Sequence, residues 1–205
     1  MTEKERMLSG KLYRACDPEL LAGDMRKWKL THRLNQTTDA DEIRSILREL
    51  LGSIGKDFWI QPPFYCDYGS NIHIGDHFYA NYDCVILDPG TVTIGDHVFL
   101  APRVCIYTAT HPIDAGVRNS ELEYARPVTI GSSVWIGGNA VINPGITIGD
   151  NVVIGSGAVV TKDLPSGVIA AGNPCRVLRK ITAEDTLCWE ARAAEYDAET
   201  APPSL

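Results

Sequence analysis

From Ile130 onward the chain keeps a period of six: Ile130-Gly131, Ile136-Gly137, Ile142-Asn143, Ile148-Gly149 and Ile154-Gly155 stand at equal intervals. Four positions after each isoleucine comes another small or branched apolar residue, namely Val134, Ala140, Ile146, Val152 and Ala158. The resulting apolar set is spaced alternately four and two, and it fills every template position from Ile130 to Val160. At 44% apolar residues overall, independent placement would produce that about once in ten thousand trials. An amphipathic helix needs its stripe at three and four, and an ordinary alternating strand would not keep inserting Gly-Asp or Gly-Ser corners. A short strand, a turn and another short strand satisfy the pattern.

The same template fits Ile74, Phe78, Ala80, Cys84 and Ile86. After a two-residue shift near Asp88-Pro89-Gly90 it fits Ile94, Val98, Leu100, Val104 and Ile106, so the repeat extends back to about Trp59. Hexapeptides of this kind build a parallel β-helix, three to a triangular coil, whose stacked coils bury a continuous apolar interior. The ends read differently. Residues 3–8, 17–35 and 39–52 mix charges with Leu, Ile and Met at helical spacing, with helix starts at Asp17-Pro18 and Thr38-Asp39. After Arg176, ITAEDTLCWEARAAEYD reads as one more helix capped by Thr182 with Asp185 three residues on, and TAPPSL reads as a frayed tail. The expected organisation is an all-β core with helical ends: an N-terminal helical segment over 1–57, a β-helix over 58–178, and a C-terminal helix and tail over 179–205.

Composition narrows the partners. At 205 residues, one main domain plus terminal additions is the expectation. A formal charge of -7 without a Lys or Arg cluster argues against nucleic acid or an anionic membrane. No stretch approaches a membrane span and the start MTEKERMLSGK lacks the apolar run of a secretory signal, so a cytosolic location is expected. Cys16, Cys66, Cys84, Cys105, Cys175 and Cys188 show no CxxC spacing and read as small buried thiols rather than a disulfide framework.

One stretch breaks the repeat. YTATHPIDAGVRNSELEYARP, residues 107–127, replaces coil sides without disturbing phase, because Val104 and Val128 lie a whole number of repeats apart. A long excursion inside a compact repeat is more often functional than idle. It holds His111, between Thr110 and Pro112, on a segment that the proline keeps extended. An imidazole near pKa 6.5 is suited to take a proton from an attacking hydroxyl. Glu123 lies in the same excursion, either orienting that imidazole or simply solvated. His77 and His97 each follow Gly-Asp at a corner, and with His73 they lack metal-ligand spacing, so no metal is expected. No serine sits in a nucleophile elbow and Cys84 points inward, which argues against a covalent intermediate on the protein.

The segments SGKLYRACDPEL, PPFYCDYGSNIHIGDHFYANYDCVILD, TATHP, PVTIGSSVWIGGNAVINPGITIGDNVVIGSGAVVTKDLP and AAGNPCRV together resemble the hexapeptide-repeat acyltransferases, in particular the maltose, galactoside and nodulation-sugar O-acetyltransferases. The resemblance covers nearly the whole chain. It implies a left-handed coil, an exception to the right-handed crossover rule, and a homotrimer with active sites between subunits. It implies acetyl-CoA as acetyl donor, a small sugar as acceptor, and His111 as general base. At the acceptor it places Asp67, Asn81 and Asp88, with turn capping as the alternative for Asp67 and Asp88. More loosely it places Asp17 there: one gap moves the match to Ala15 or Cys16, and Asp17 serves equally as a helix cap. It places Trp135, whose ring alternation puts outside the coil, on the cofactor or the acceptor near His111, with a subunit contact as the alternative; at the donor it places Gly138, Ser156, Thr161, Lys162, Arg176 and Arg179, the three basic residues having ordinary surface charge as their alternative. A relative acetylating a drug or another hydroxyl compound shares these features; the CDYG and SGKLYR stretches favour sugar. A non-catalytic β-helix scaffold and a metal-dependent hydratase are readings from other classes, opposed by the matched donor positions and the histidine spacing respectively.

Overall fold

The hexapeptide pattern resolves into three flat parallel sheets joined by tight corners in a computed structural model, which describes residues 1–200. One coil runs through Ile72–Ile74 on the first face, Tyr79–Ala80 on the second and Cys84–Leu87 on the third, then returns to the first face at Val92–Ile94. Equivalent strands of neighbouring coils pair in register: Ile74 with Ile94, Ala80 with Leu100, Ile86 with Ile106. Side chains alternate across each strand, so one set points into the prism, and every residue of the apolar template from Ile74 to Val160 is buried. Each Val, Leu, Ile or Phe among them contributes about 1.5–3 kcal/mol relative to exposure.

The corners explain the Gly-Asp and Gly-Ser dipeptides. Between the first and second faces, Lys56 N–H donates to Asp76 Oδ1 (2.7 Å), Asp76 N–H to Asp96 Oδ1 (2.7 Å), Asp96 N–H to Ser132 Oγ (3.1 Å), Ser132 N–H to Asp150 Oδ1 (2.7 Å) and Asp150 N–H to Ser166 Oγ (2.9 Å). Each coil thus offers a side-chain acceptor to the corner of the coil before it. That acceptor occupies the place a Cβ would take on the preceding Gly55, Gly75, Gly95, Gly131 or Gly149. The next residue but one turns the chain in the left-handed region, as at His77 and His97, both with φ of 55°.

Two boundaries differ from expectation. The coil begins at Ser53–Ile54, which pairs with His73 and Ile74, so its first strand falls inside the segment expected to be only helical. Ile54-Gly55 does carry the repeat dipeptide, but coils at this end have a longer corner between third and first faces, so the six-residue template loses phase there. At the other end Arg176–Lys180 pairs antiparallel with Val168–Ala171, so the expected break at 178 falls within a strand.

Helices α1 (Glu3–Leu8), α2 (Pro18–Leu34) and α3 (Ala40–Leu50) start at Thr2, Asp17 and Asp39, whose side chains accept first-turn N–H groups. Leu30 and Leu34 of α2, with Ile43, Ile46, Leu47 and Leu50 of α3, extend the coil's core over its open end. Met7, Tyr13 and Leu20 form a separate cluster with Tyr68 packed against it. A short α4 (Ala115–Asn119) lies in the excursion, and α5 (Ala183–Thr200) follows the last strand with none of its residues buried. Of the TAPPSL tail only Thr200 lies within the described residues. No described helix is long and apolar enough to cross a membrane. All six cysteines are free; Cys66, Cys84 and Cys175 are buried, whereas Cys16 and Cys188 are exposed, because neither stands on the repeat.

Candidate active site

The excursion is a built structure. Strand Ala109–Thr110 folds back on Leu122–Ala125, and Tyr13–Arg14 from the N-terminal segment adds a third strand, placing Tyr13 opposite Glu123. Its base is anchored by Thr108, buried, whose Oγ1 donates to Leu87 O (2.8 Å) and accepts from Gly90 N–H (2.8 Å). Its tip is held by Arg118, whose guanidinium donates to the carbonyls of Pro112 and Ile113 (2.9 Å each). Arg14 ties in the N-terminal strand by donating to Ser120 O (2.7 Å).

His111 leaves the end of this hairpin with more than half its side chain exposed, and its Nε2 stands 3.7 Å from Glu123 Oε2. That exceeds hydrogen-bond length. Both residues line a cavity of about 520 Å³ with Ala15, Cys16, Arg118 and Glu121. Ala15 and Glu123 also line an adjoining cavity of about 290 Å³, closed by Tyr13, Asp24, Asp67 and Tyr68 among others. There the Asp67 carboxyl is pushed up to about 6, first by burial and then by the Asp88 charge, against an opposing pull from Lys27. Lys27 itself pairs with Asp24 at 2.8 Å. Tyr13 is buried, and its hydroxyl has no hydrogen-bond partner, an arrangement that costs about 1–3 kcal/mol.

Three expected acceptor residues stand elsewhere. Asp88 is fully buried: Oδ1 accepts from Asp67 N–H (3.0 Å) and Tyr68 N–H (2.9 Å), and Oδ2 from Asn71 N–H (3.2 Å). Burial pushes its pKa up while these bonds pull it down. Asp88 therefore shapes the corner that presents Asp67 and does not face the cleft. Asp17 caps α2, accepting from Glu19 N–H at 2.9 Å, while Ala15 and Cys16 line the cavity in its stead. Asn81 lies at the corner between second and third faces, its Oδ1 accepting from Tyr82 N–H at 2.8 Å. His111 belongs to the next corner round the prism.

The donor positions also divide. Gly138 and Ser156 share the corner of Asn81 and stack coil on coil, Gly157 N–H donating to Gly138 O at 2.8 Å. A Cβ on Gly138 would come within 3.1 Å of Pro102 O, so the backbone there is bare and closely approached. Thr161 and Lys162 lie exposed at the corner below the excursion. Trp135 stands half-exposed on the second face, next to Phe99 on its ladder. Arg176 and Arg179 lie on the antiparallel edge strand; Arg179 is engaged by Asp185 of α5 at 2.5 and 2.9 Å. Exposed backbone beside separate cations suits a long ligand with amides and phosphates. His77 and His97 stack at 4.5 Å on their corner, and among the described residues no His, Cys, Asp and Glu group is placed to hold a metal.

Tyr13, Asp24 and Arg118 escaped the reading of the sequence, whereas Tyr68 stands in the Asp67-Tyr68-Gly69 stretch that the resemblance places at the acceptor. Tyr13 stands in the quoted KLYR stretch, but no periodicity singles it out; Asp24 and Arg118 carry no local signal.

Two family profiles match the chain: the maltose acetyltransferase hexapeptide capping motif over residues 6–55, and the bacterial transferase hexapeptide (six repeats) over 127–162. Nodulation protein L of Rhizobium meliloti is 52% identical over 178 residues, covering 86% of this chain and 97% of the relative. The structure of a maltose O-acetyltransferase from Clostridium difficile superposes with a TM-score of 0.88 at 56% identity, covering 89% of this chain and 98% of the other. A galactoside acetyltransferase in complex with coenzyme A superposes with a TM-score of 0.88 at 44% identity, covering 91% and 94%.

Proposed function

We propose, from the premise that this chain belongs to the hexapeptide-repeat acetyltransferases of the maltose and galactoside type, that it transfers an acetyl group from acetyl-CoA to a hydroxyl of a small sugar. The observation that carries the reading is the His111–Glu123 pair at the mouth of a carboxylate-lined cleft. An acceptor hydroxyl held there gives its proton to His111 as its oxygen attacks the thioester carbonyl. Glu123 favours the imidazolium that results. Collapse of the adduct breaks the carbon–sulfur bond, and the imidazolium returns the proton to the departing thiolate of coenzyme A. No acetyl-enzyme is needed.

Asp67, through the cleft it lines, accepts from sugar hydroxyls, and a ligand lacking one leaves that carboxyl unpaired. Trp135, Gly138, Ser156, Thr161, Lys162 and Arg176 are assigned to acetyl-CoA, the bare corner backbone meeting its amides and the cations its phosphates. Arg179 joins them through whatever share of its guanidinium Asp185 leaves. Asp88 and Asp17 act only through the local structure they cap.

The assembly is a homotrimer on this reading. Within one chain His111 and the Gly138–Ser156 corner lie on different edges of the prism, separated by the third face. That face carries an outward ladder of Tyr65, Val85, Cys105, Val141 and Val159, whereas the first face carries Ser53, His73, Thr93, Thr129 and Thr147. Packing three third faces about an axis covers the apolar ladder. It also brings the His111 edge of one copy to the Gly138 edge of the next, where Asn81 meets the acceptor. A cytoplasmic location suits the donor and the six unpaired thiols.

Free-thiol release from acetyl-CoA tests the reading against glucose, maltose, a galactoside, chloramphenicol and serine, with His111→Ala alongside. Release with a sugar that the variant abolishes is expected. Release only with chloramphenicol or serine overturns the acceptor class, and undiminished release by His111→Ala overturns the base.

A further inference from the structure

Among the described residues, the hydroxyl of Tyr13 is the one buried side-chain polar atom without a hydrogen bond. The fold has the means to satisfy buried polar groups: Asp88, equally enclosed, fills both carboxylate oxygens. An orphaned hydroxyl is removed by a change to phenylalanine, which would keep the ring's packing against Met7, Leu20 and Tyr68. Its retention asks for a partner that is met at another point of the catalytic cycle.

The geometry limits that partner. Tyr13 pairs directly across the ladder with Glu123, and both line the smaller cavity. The hydroxyl oxygen itself is closed to solvent, so it does not reach a ligand in the cleft. Burial, and next the Glu123 carboxylate, close enough to act on the phenol as a hydrogen-bonding neighbour although no bond of standard geometry is formed, push the phenol's pKa up, which keeps it a donor across the working pH range. Glu123 has two oxygens, and Oε2 is the one turned toward His111.

We infer that Tyr13 is a positioning residue: once the acceptor fills the cleft, its hydroxyl donates to the Glu123 carboxylate and fixes the other oxygen toward His111. The inference rests on the reading of His111 as the general base. No covalent bond changes and no proton is transferred at Tyr13. The other charged or titratable groups around the pair are Arg118, Glu121 and Cys16 at the His111 cavity, and Asp24, Asp67 and Tyr68 at the smaller one.

The experiment compares kcat, KM for acetyl-CoA and Tm of the full-length protein for Tyr13→Phe, Glu123→Gln and the double variant, with His111→Ala in parallel. Tyr13→Phe is expected to keep or raise Tm and to lower kcat about tenfold with KM for acetyl-CoA unchanged. Glu123→Gln should lower kcat at least as far, and adding Tyr13→Phe to it should do nothing more. A wild-type kcat in Tyr13→Phe overturns the inference. So does a loss that persists in the Glu123→Gln background, or one that tracks a fall in Tm, since each marks a merely structural tyrosine. Retained transfer in His111→Ala would instead strike the base assignment, and is visible separately from any effect at Tyr13.

Discussion

The coil and the excursion obey opposite rules. In the coil a residue's environment follows from its place in the repeat, and each contact is made again one coil further on: Ile130 lies between Ile94 and Ile148 just as Ile136 lies between Leu100 and Ile154. The interior is apolar and closed. In the excursion, three strands drawn from two distant parts of the chain hold an exposed imidazole 3.7 Å from a carboxylate, beside a carboxyl raised by burial and a hydroxyl left unpaired. Polar groups under strain gather where the excursion, the N-terminal strand and the Asp67 corner of the coil meet, while the repeating interior keeps almost none.

That contrast breaks most visibly at His111. His111→Ala is expected to lower kcat by a factor of about a hundred to ten thousand with Tm unchanged; a large fall in Tm would make the excursion part of the core's stability. In the coil the sign reverses. Ile142→Ala, at a fully buried position, should cost about 2–5 kcal/mol of stability, read by denaturant unfolding, while the folded fraction transfers acetyl at the normal rate.

Asp67 sharpens the comparison through pH. Its carboxyl is raised from 3.8 to about 6 in the folded protein, so ionising it opposes folding above the folded value, less so between the two, and not at all below the unfolded one. Asp67→Asn should therefore stabilise above pH 6 by on the order of 1–2 kcal/mol after allowance for solvent screening. The gain should fade as pH drops toward 4, with KM for the sugar raised throughout. A variant no more stable at pH 8 than at pH 4 would mean the carboxyl is not held under strain. Asp17→Ala is expected to have the smallest effect, about 1 kcal/mol from the lost helix cap, with acceptor KM unchanged. A raised KM without loss of stability would return Asp17 to the acceptor site.

How far each region could be read follows from the same contrast. The interior set from Ile130 to Val160 could be named residue by residue because one rule is repeated along it. His111 and Glu123 stood out because they interrupt that rule. Asp88 and Asp17 could be read two ways, as caps or as acceptor groups, for a physical reason: a carboxylate that accepts backbone N–H groups and one that accepts sugar hydroxyls look the same in a sequence, and only burial and bonded neighbours separate them. Tyr13 could not be found at all, since its meaning lies in pairing with Glu123 across more than a hundred residues of chain.

By itself the sequence determined the prism, its inward set, its glycine corners, its helical caps and the site of the interruption, because those depend on local spacing and on backbone forms that few residues adopt. Tertiary structure alone decided that the N-terminal strand closes the cleft, that Asp88 faces inward while Asp67 lines the cavity, that Arg179 pairs with Asp185, and that His111 and the Gly138–Ser156 corner lie on different edges of one chain. Those outcomes depend on which distant groups are brought together and how much water is removed around them, and neither quantity is carried by spacing along the chain.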